Sequence, residues 1–185
     1  MKATGIVRRI DDLGRVVIPK EIRRTMRIRE GDPLEIYTDR EGEVIFKKYS
    51  PIGELAAFAS QYAETLHKTC ALSVVICDRD AVIACAGVSR KDYADKALSR
   101  ELEQIIEGRS LYVHREGEPT VPVLAEGGGH VVSCAMPIIS EGDIAGCVVS
   151  VCDERTVDRR DLPSFDVEAK LVLTAAGFLG RQLES

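Results

Sequence analysis

The chain has 185 residues, a formal net charge of −5, 45% apolar and 30% charged residues, enough for one ordinary core and a smaller appended unit. No apolar run approaches the roughly 20 residues of a membrane-spanning helix, and the N-terminus lacks the apolar stretch and cleavage site of a secretory leader, so a cytoplasmic protein is expected. Cys70, Cys77, Cys85, Cys134, Cys147 and Cys152 form no Cys-x-x-Cys pair and sit mostly in Val- and Ile-rich runs, which argues against a disulfide framework or metal site and for reduced, buried thiols.

Thr4 to Ile10 alternates as a strand, with Ile6, Arg8 and Ile10 on one face and Val7 and Arg9 on the other. Asp11-Asp12-Leu13-Gly14 reads as a turn, and Arg15-Val16-Val17-Ile18 returns as a β-branched strand. Pro19 ends that strand and offers a favourable first helical position, with Glu21 near the positive end of the helix dipole. The short helix that follows is predicted to run to about Arg27. Its i, i+4 spacing puts Ile22 and Met26 on one face and Arg23 and Arg27 on another, with Arg24 beside them. Beyond Glu30-Gly31-Asp32-Pro33, strands are expected at Leu34 to Thr38 and Glu43 to Lys47 around the turn Asp39-Arg40-Glu41-Gly42. The result is β-β-α-β-β in residues 1–50. A unit that small exposes too much of its apolar surface to stand alone and has no disulfide or metal, so an intertwined dimer is expected.

Charge follows the same division. Residues 1–48 hold 12 Lys and Arg against 9 Asp and Glu, a net of +3, while residues 49–185 hold 13 against 21, a net of −8. Within residues 1–29 the count is 9 basic to 3 acidic, so the positive field lies where the arginines cluster. An acidic remainder is repelled by phosphate, which leaves the first unit to meet any nucleic acid.

The run Gly14-Arg15-Val16-Val17-Ile18-Pro19-Lys20-Glu21-Ile22-Arg23-Arg24 closely resembles the core of the swapped-hairpin DNA-binding domain of the AbrB family of bacterial transition-state regulators. The resemblance implies hairpins exchanged between two protomers and duplex DNA as the partner. It places Arg8, Arg15, Arg23 and Arg24 at the family's DNA-contact positions. Arg9, Lys20 and Arg27 are expected to add contacts to the DNA backbone. Guanidinium suits the task, being permanently charged, forked onto phosphate oxygens and able to pair bidentately with a guanine edge.

Tyr49-Ser50-Pro51-Ile52-Gly53 reads as a linker, with Pro51 interrupting strand pairing and Gly53 adding a joint. Residues 54–185 then form the second domain. A helical stripe at Leu55, Phe58, Ala59, Tyr62 and Leu66 predicts a helix from Glu54 to Thr69. Strands follow at Ser73 to Cys77 and Val82 to Ala86, then a helix over Ala94 to Glu107 carrying Leu98, Leu102, Ile105 and Ile106 and ended by Gly108. Val131 to Ile139 and Ile144 to Cys152 are strands around Ser140-Glu141-Gly142-Asp143, and Phe165 to Leu183 closes with a broad apolar helical face.

This order, with Pro137-Ile138 followed by Gly146, resembles a GAF-like α/β/α sensor domain with an antiparallel sheet, making the whole chain α+β. The resemblance places a pocket for a small-molecule effector between the sheet and the segments Ser89 to Asp95 and Tyr112 to His130. It names no ligand. Gly127-Gly128-Gly129 could let a backbone approach such a ligand but reads first as a flexible loop. The end helices would join two dimers into a tetramer. His67, His114 and His130 stand apart from any recognisable partner, so no catalytic residues, metal or cofactor are expected.

Together these readings predict a non-enzymatic transcriptional regulator, with the resemblance implying both activation and repression of sporulation genes. The alternative is an AbrB-type antitoxin that represses its own operon while the remainder neutralises a toxin. Toxin-binding tails are usually short and unfolded alone, whereas this remainder is patterned throughout.

Overall fold

Pro19, at φ −58° and ψ 150°, turns the chain into α1 (Lys20–Thr25), whose last turn is closed by Met26 N–H donating to Ile22 O at 2.9 Å. The helix belongs to the first of two units, residues 1–49 and 50–185, in the computed structural model, which describes residues 4–153 and 163–184. It is shorter than predicted. Arg27 lies in the left-handed region with φ 51°, so the expected i, i+4 register of Arg23 and Arg27 does not form. β1 (Leu34–Thr38) and β2 (Val44–Lys48) pair antiparallel from Leu34↔Lys48 to Thr38↔Val44.

The strands expected at Thr4 to Ile10 and Arg15 to Ile18 carry no ladder in the single chain, although the turn between them forms. Strand amides need a neighbouring backbone, and none of the described residues of this chain supplies one. Their side chains are correspondingly bare, with Val7 86% and Val17 73% exposed.

In the second unit, the expected linker is instead the start of the fold. Ser50 caps α2 (Pro51–Glu54) by accepting Gly53 N–H at 3.2 Å on its Oγ, and Pro51 occupies a first-turn position that needs no amide. Ile52 is fully buried, which contributes roughly 1.5–3 kcal/mol and anchors the chain at once. α3 (Ala56–Cys70) follows, then β3 (Ser73–Cys77) and β4 (Val82–Ala86).

The helix predicted over Ala94 to Glu107 forms only in its C-terminal part, and a separate short helix stands before it. α4 (Arg90–Tyr93) precedes a break in which Asp95 has φ 59°, and α5 (Arg100–Glu107) starts only where Ser99 Oγ accepts Leu102 N–H at 3.0 Å. Leu98, expected on that helix, is extended and bridged to Leu124. A short strand β5 (Tyr112–Val113), not foreseen, pairs with β6 (His130–Ser140), which pairs in turn with β7 (Asp143–Asp153). α6 (Phe165–Leu183) closes the chain.

The five strands form one antiparallel sheet in the order β4-β3-β7-β6-β5. Ile52, Ala59, Ala63 and Leu66 from the first helices and Val172, Ala175, Ala176 and Leu179 from α6 cover one face, against Val74, Ile76, Cys134, Ile138 and Val148. Leu98, Leu102, Ile106, Val123 and Leu124 cover the other, against Val75, Cys77, Cys147 and Val149. This is the expected α/β/α layering. Two glycines make it close-packed: a Cβ on Gly146 would sit 2.2 Å from Cys77 O, and one on Gly180 would sit 2.3 Å from Ile139 O. Cys77, Cys134 and Cys147 are buried, and all six thiols are free.

Candidate nucleic-acid interface

The turn before α1 is built by one carboxylate. Asp11 Oδ1 accepts the N–H of Leu13 at 3.0 Å and of Arg15 at 2.7 Å, while Oδ2 accepts Arg15 Nε at 2.8 Å. The Arg15 backbone bond, then its guanidinium, hold the Asp11 carboxyl below its usual range. Asp11 was not singled out from sequence, although an Asp at the head of Asp-Asp-Leu-Gly is the signature of such a turn.

Arg8, Arg9, Arg15, Lys20, Arg23, Arg24 and Arg27 are all exposed. Arg23 and Arg24 stand together on α1, whose Ile22 is half-buried and whose C-terminus is closed by Arg27 N–H to Arg24 O at 3.3 Å and Ile28 N–H to Arg23 O at 2.7 Å. Arg8 and Arg9 precede the turn that carries Arg15, and Lys20 opens the helix. Arg27 departs from the expected row because its backbone has left the helix. Lys47, outside that set, lies over the Tyr37 ring at 4.5 Å.

Sequence reasoning also missed Asp32 and Lys48. The Asp32 carboxylate accepts Arg29 N–H at 2.8 Å and lies 3.4 Å from Lys48 Nζ, which donates to Arg27 O at 2.7 Å. Sixteen residues separate the pair, beyond the reach of local pattern reading.

The apolar surface of the unit is as informative as its charge. Among the described residues of 1–49 no apolar residue is buried, and Ile6, Val7, Ile10, Leu13, Val16, Val17, Met26, Ile36, Val44 and Phe46 are exposed. The expected packing of Met26 is absent in the single chain, where it is 56% exposed.

In the second unit, the segments expected around an effector pocket reach the core through Tyr93, Val123 and Leu124, while most of their other residues are exposed. Tyr93 is buried, and its hydroxyl meets His130 Nδ1 at 2.9 Å. Burial pushes the phenol up. A Cβ on Gly128 would lie 2.8 Å from that hydroxyl oxygen, so Gly128 is a packing residue as well as a loop residue. Ser99 Oγ donates to Pro122 O at 2.5 Å, and Ala97, Leu98 and Pro122 bridge to Ala81, Leu124 and Val131. His130 and His67, which looked isolated in sequence, are thus both engaged, His67 Nδ1 lying 2.9 Å from Leu72 O. On α3 and α6, Phe58, Tyr62 and Phe178 form an aromatic cluster with centroids 5.6–6.4 Å apart.

The family described as Stage V sporulation protein T C-terminal, transcription factor, matches residues 54–184, and that described as Antidote-toxin recognition MazE, bacterial antitoxin, matches residues 7–53. The chain is 52% identical over 184 residues to stage V sporulation protein T of Bacillus subtilis, covering 100% of this chain and 99% of the relative. It is 65% identical over 51 residues to the transition state regulatory protein AbrB of the same organism, covering 28% of this chain and 52% of that protein. Among solved structures, the cofactor-binding GAF domain of the nutrient sensor CodY from Clostridium difficile matches at 17% identity with a TM-score of 0.43, covering 67% of this chain and 83% of that one.

Proposed function

The chain belongs to the family of stage V sporulation protein T, a family of transcription factors, and on that premise we propose that it regulates sporulation genes by binding specific duplex DNA. The reading places residues 1–50 on the DNA as an intertwined dimer and residues 54–185 behind it as a regulatory and assembly domain. The observation that carries it is a unit 65% identical to AbrB, with Arg8, Arg15, Arg23 and Arg24 exposed. Arg9, Lys20 and Arg27 add phosphate contacts in this reading.

The dimer is supported by energetics. A unit with no buried apolar residue among its described residues and ten bare apolar ones cannot offset the entropy of ordering its backbone, which costs about 1–2 kcal/mol per residue. Exchange of the segments around residues 4–18 with a second copy gives their amides strand partners and covers those side chains. No helix among the described residues is long and apolar enough to cross a membrane, and action on chromosomal DNA in the cytoplasm fits the proposal.

The match to an antitoxin family over residues 7–53 favours the second reading for the DNA-binding unit alone. Against it as a whole-chain function stands the second unit, which has two buried core clusters rather than an unfolded tail.

Selection of duplexes by the full-length protein from a random pool tests the proposal. An enriched sequence should appear, bound by a dimer or larger assembly, with log K falling against log salt at a slope of roughly −4 to −7 for ~4 to 8 neutralised phosphates. No enrichment, together with monomeric sedimentation, would overturn it.

A further inference from the structure

A helix of 6 residues does not hold itself in place, because so short a segment is marginal in water. The placement of Arg23 and Arg24 therefore depends on what fixes the ends of α1. At its C-terminal end Arg27 sits at φ 51°, a region that a residue with a Cβ resists. The carbonyl of that residue receives the Lys48 ammonium at 2.7 Å. The same Nζ is 3.4 Å from Asp32 Oδ2, on a side chain only 4% exposed. Asp32 Oδ2 also takes Arg29 N–H at 2.8 Å, and Asp32 N–H returns to Arg29 O at 3.3 Å. Lys48 ends β2 in register with Leu34, so its ammonium ties the left-handed exit of the arginine helix to the hairpin.

We infer that Asp32 and Lys48 form a clamp that positions Arg23 and Arg24 for sequence-specific binding without themselves touching DNA. The inference rests on the DNA-binding reading of residues 1–50. The Lys48 side chain is 27% exposed, and its ammonium is already engaged by a carbonyl and a carboxylate, an arrangement ill suited to gripping a phosphate. Asp32 supplies a contrast of sign. Removing one acidic group strengthens attraction to a polyanion if only long-range charge matters, whereas loss of the clamp weakens selective binding.

Full-length wild type, Asp32→Asn, Lys48→Met and Lys48→Arg, each shown to assemble by sedimentation, are titrated against a labelled duplex selected by the wild type and against sonicated genomic DNA. Asp32→Asn should weaken binding to the selected duplex on the order of 10-fold, as expected for losing charge-assisted hydrogen bonds, and change genomic DNA binding less than about 2-fold. Lys48→Met should weaken it similarly with an unchanged salt slope. Lys48→Arg, which can still donate to both oxygens, should stay within about 3-fold of wild type. Asp32→Asn binding the selected duplex as tightly as wild type or tighter would overturn the clamp. So would a Lys48→Met slope shallower by about 2, because two copies each losing a phosphate contact remove ~0.9 apiece. If Lys48→Met fails to assemble, Asp32→Asn and Lys48→Arg decide the matter. A wild type that selects no duplex overturns the DNA-binding reading itself, an outcome distinct from failure of the clamp alone.

Discussion

Replacing Arg23 and Arg24 together by Ala would remove four guanidinium groups from the DNA face of the proposed dimer. Both residues are exposed on α1, which buries no side chain, and Ala is at least as good a helix former as Arg, so the fold and dimerisation should be unchanged. If each group contributes only about 1 kcal/mol, the low end for a base or phosphate contact, the loss is roughly 4 kcal/mol. At about 1.4 kcal/mol per decade, the dissociation constant rises by ~10³. The salt slope should become shallower by about 3.6, four contacts at ~0.9 each. Fluorescence anisotropy on a selected duplex at several salt concentrations measures both. A double variant with wild-type circular dichroism that binds within about 10-fold of wild type, at an unchanged slope, would refute the assignment of this pair.

Residues 1–50 expressed alone should sediment as a dimer but bind DNA more weakly than the full chain, by up to ~10²-fold if the second domain joins dimers; a monomeric fragment would contradict the argument from the missing core. Gly177→Ala and Gly180→Ala should move stability in opposite directions. At Gly177 a Cβ meets nothing within 4 Å, and helix propensity stabilises by ~0.8–1 kcal/mol, whereas at Gly180 it meets the Ile139 carbonyl at 2.3 Å and overpacking costs about 1–3 kcal/mol, both read from urea unfolding. Burial first, then Glu168 and Cys147, pushes the Cys134 thiol up to about 12. With its folded value far above neutrality, Cys134 stays protonated across pH 6–9 and should react with a thiol reagent only when the domain opens, long after half-buried Cys85. Labelling of Cys134 as fast as Cys85 in the native protein would show that this part of the core is open.

How much was legible from sequence depends on where each element finds its partners. β3, β4 and α6 begin and end where periodicity placed them, because alternation and the apolar stripe are local signals of burial. The helix read over Ala94 to Glu107 ends where expected but starts six residues too early, because Leu98 fits a helical stripe equally well, while the deciding facts are a left-handed Asp95 and a cap at Ser99 whose hydroxyl also reaches Pro122. β5 is two residues long and exists only by pairing with β6, a contact no local pattern encodes. The supposed linker was misread because Pro51 and Gly53 signal a joint, whereas Ile52 between them is core. The arginines were visible as a charge cluster and a motif. Asp11 was readable from its turn signature and was passed over, whereas the pairing of Asp32 with Lys48 needed coordinates.

Because the N-terminal unit buries no apolar residue among its described residues, folding and pairing in the proposed dimer are one equilibrium rather than two steps. The amount of competent reader then grows as the square of the protein's level while most chains are unpaired, by mass action. A gene under its control would respond with a threshold: halving the supply would quarter the active species. Below that threshold the separately folded C-terminal domain would persist, leaving unpaired apolar N-terminal segments open to proteases. A cell could therefore clear its surplus of idle regulator without any signal beyond dilution.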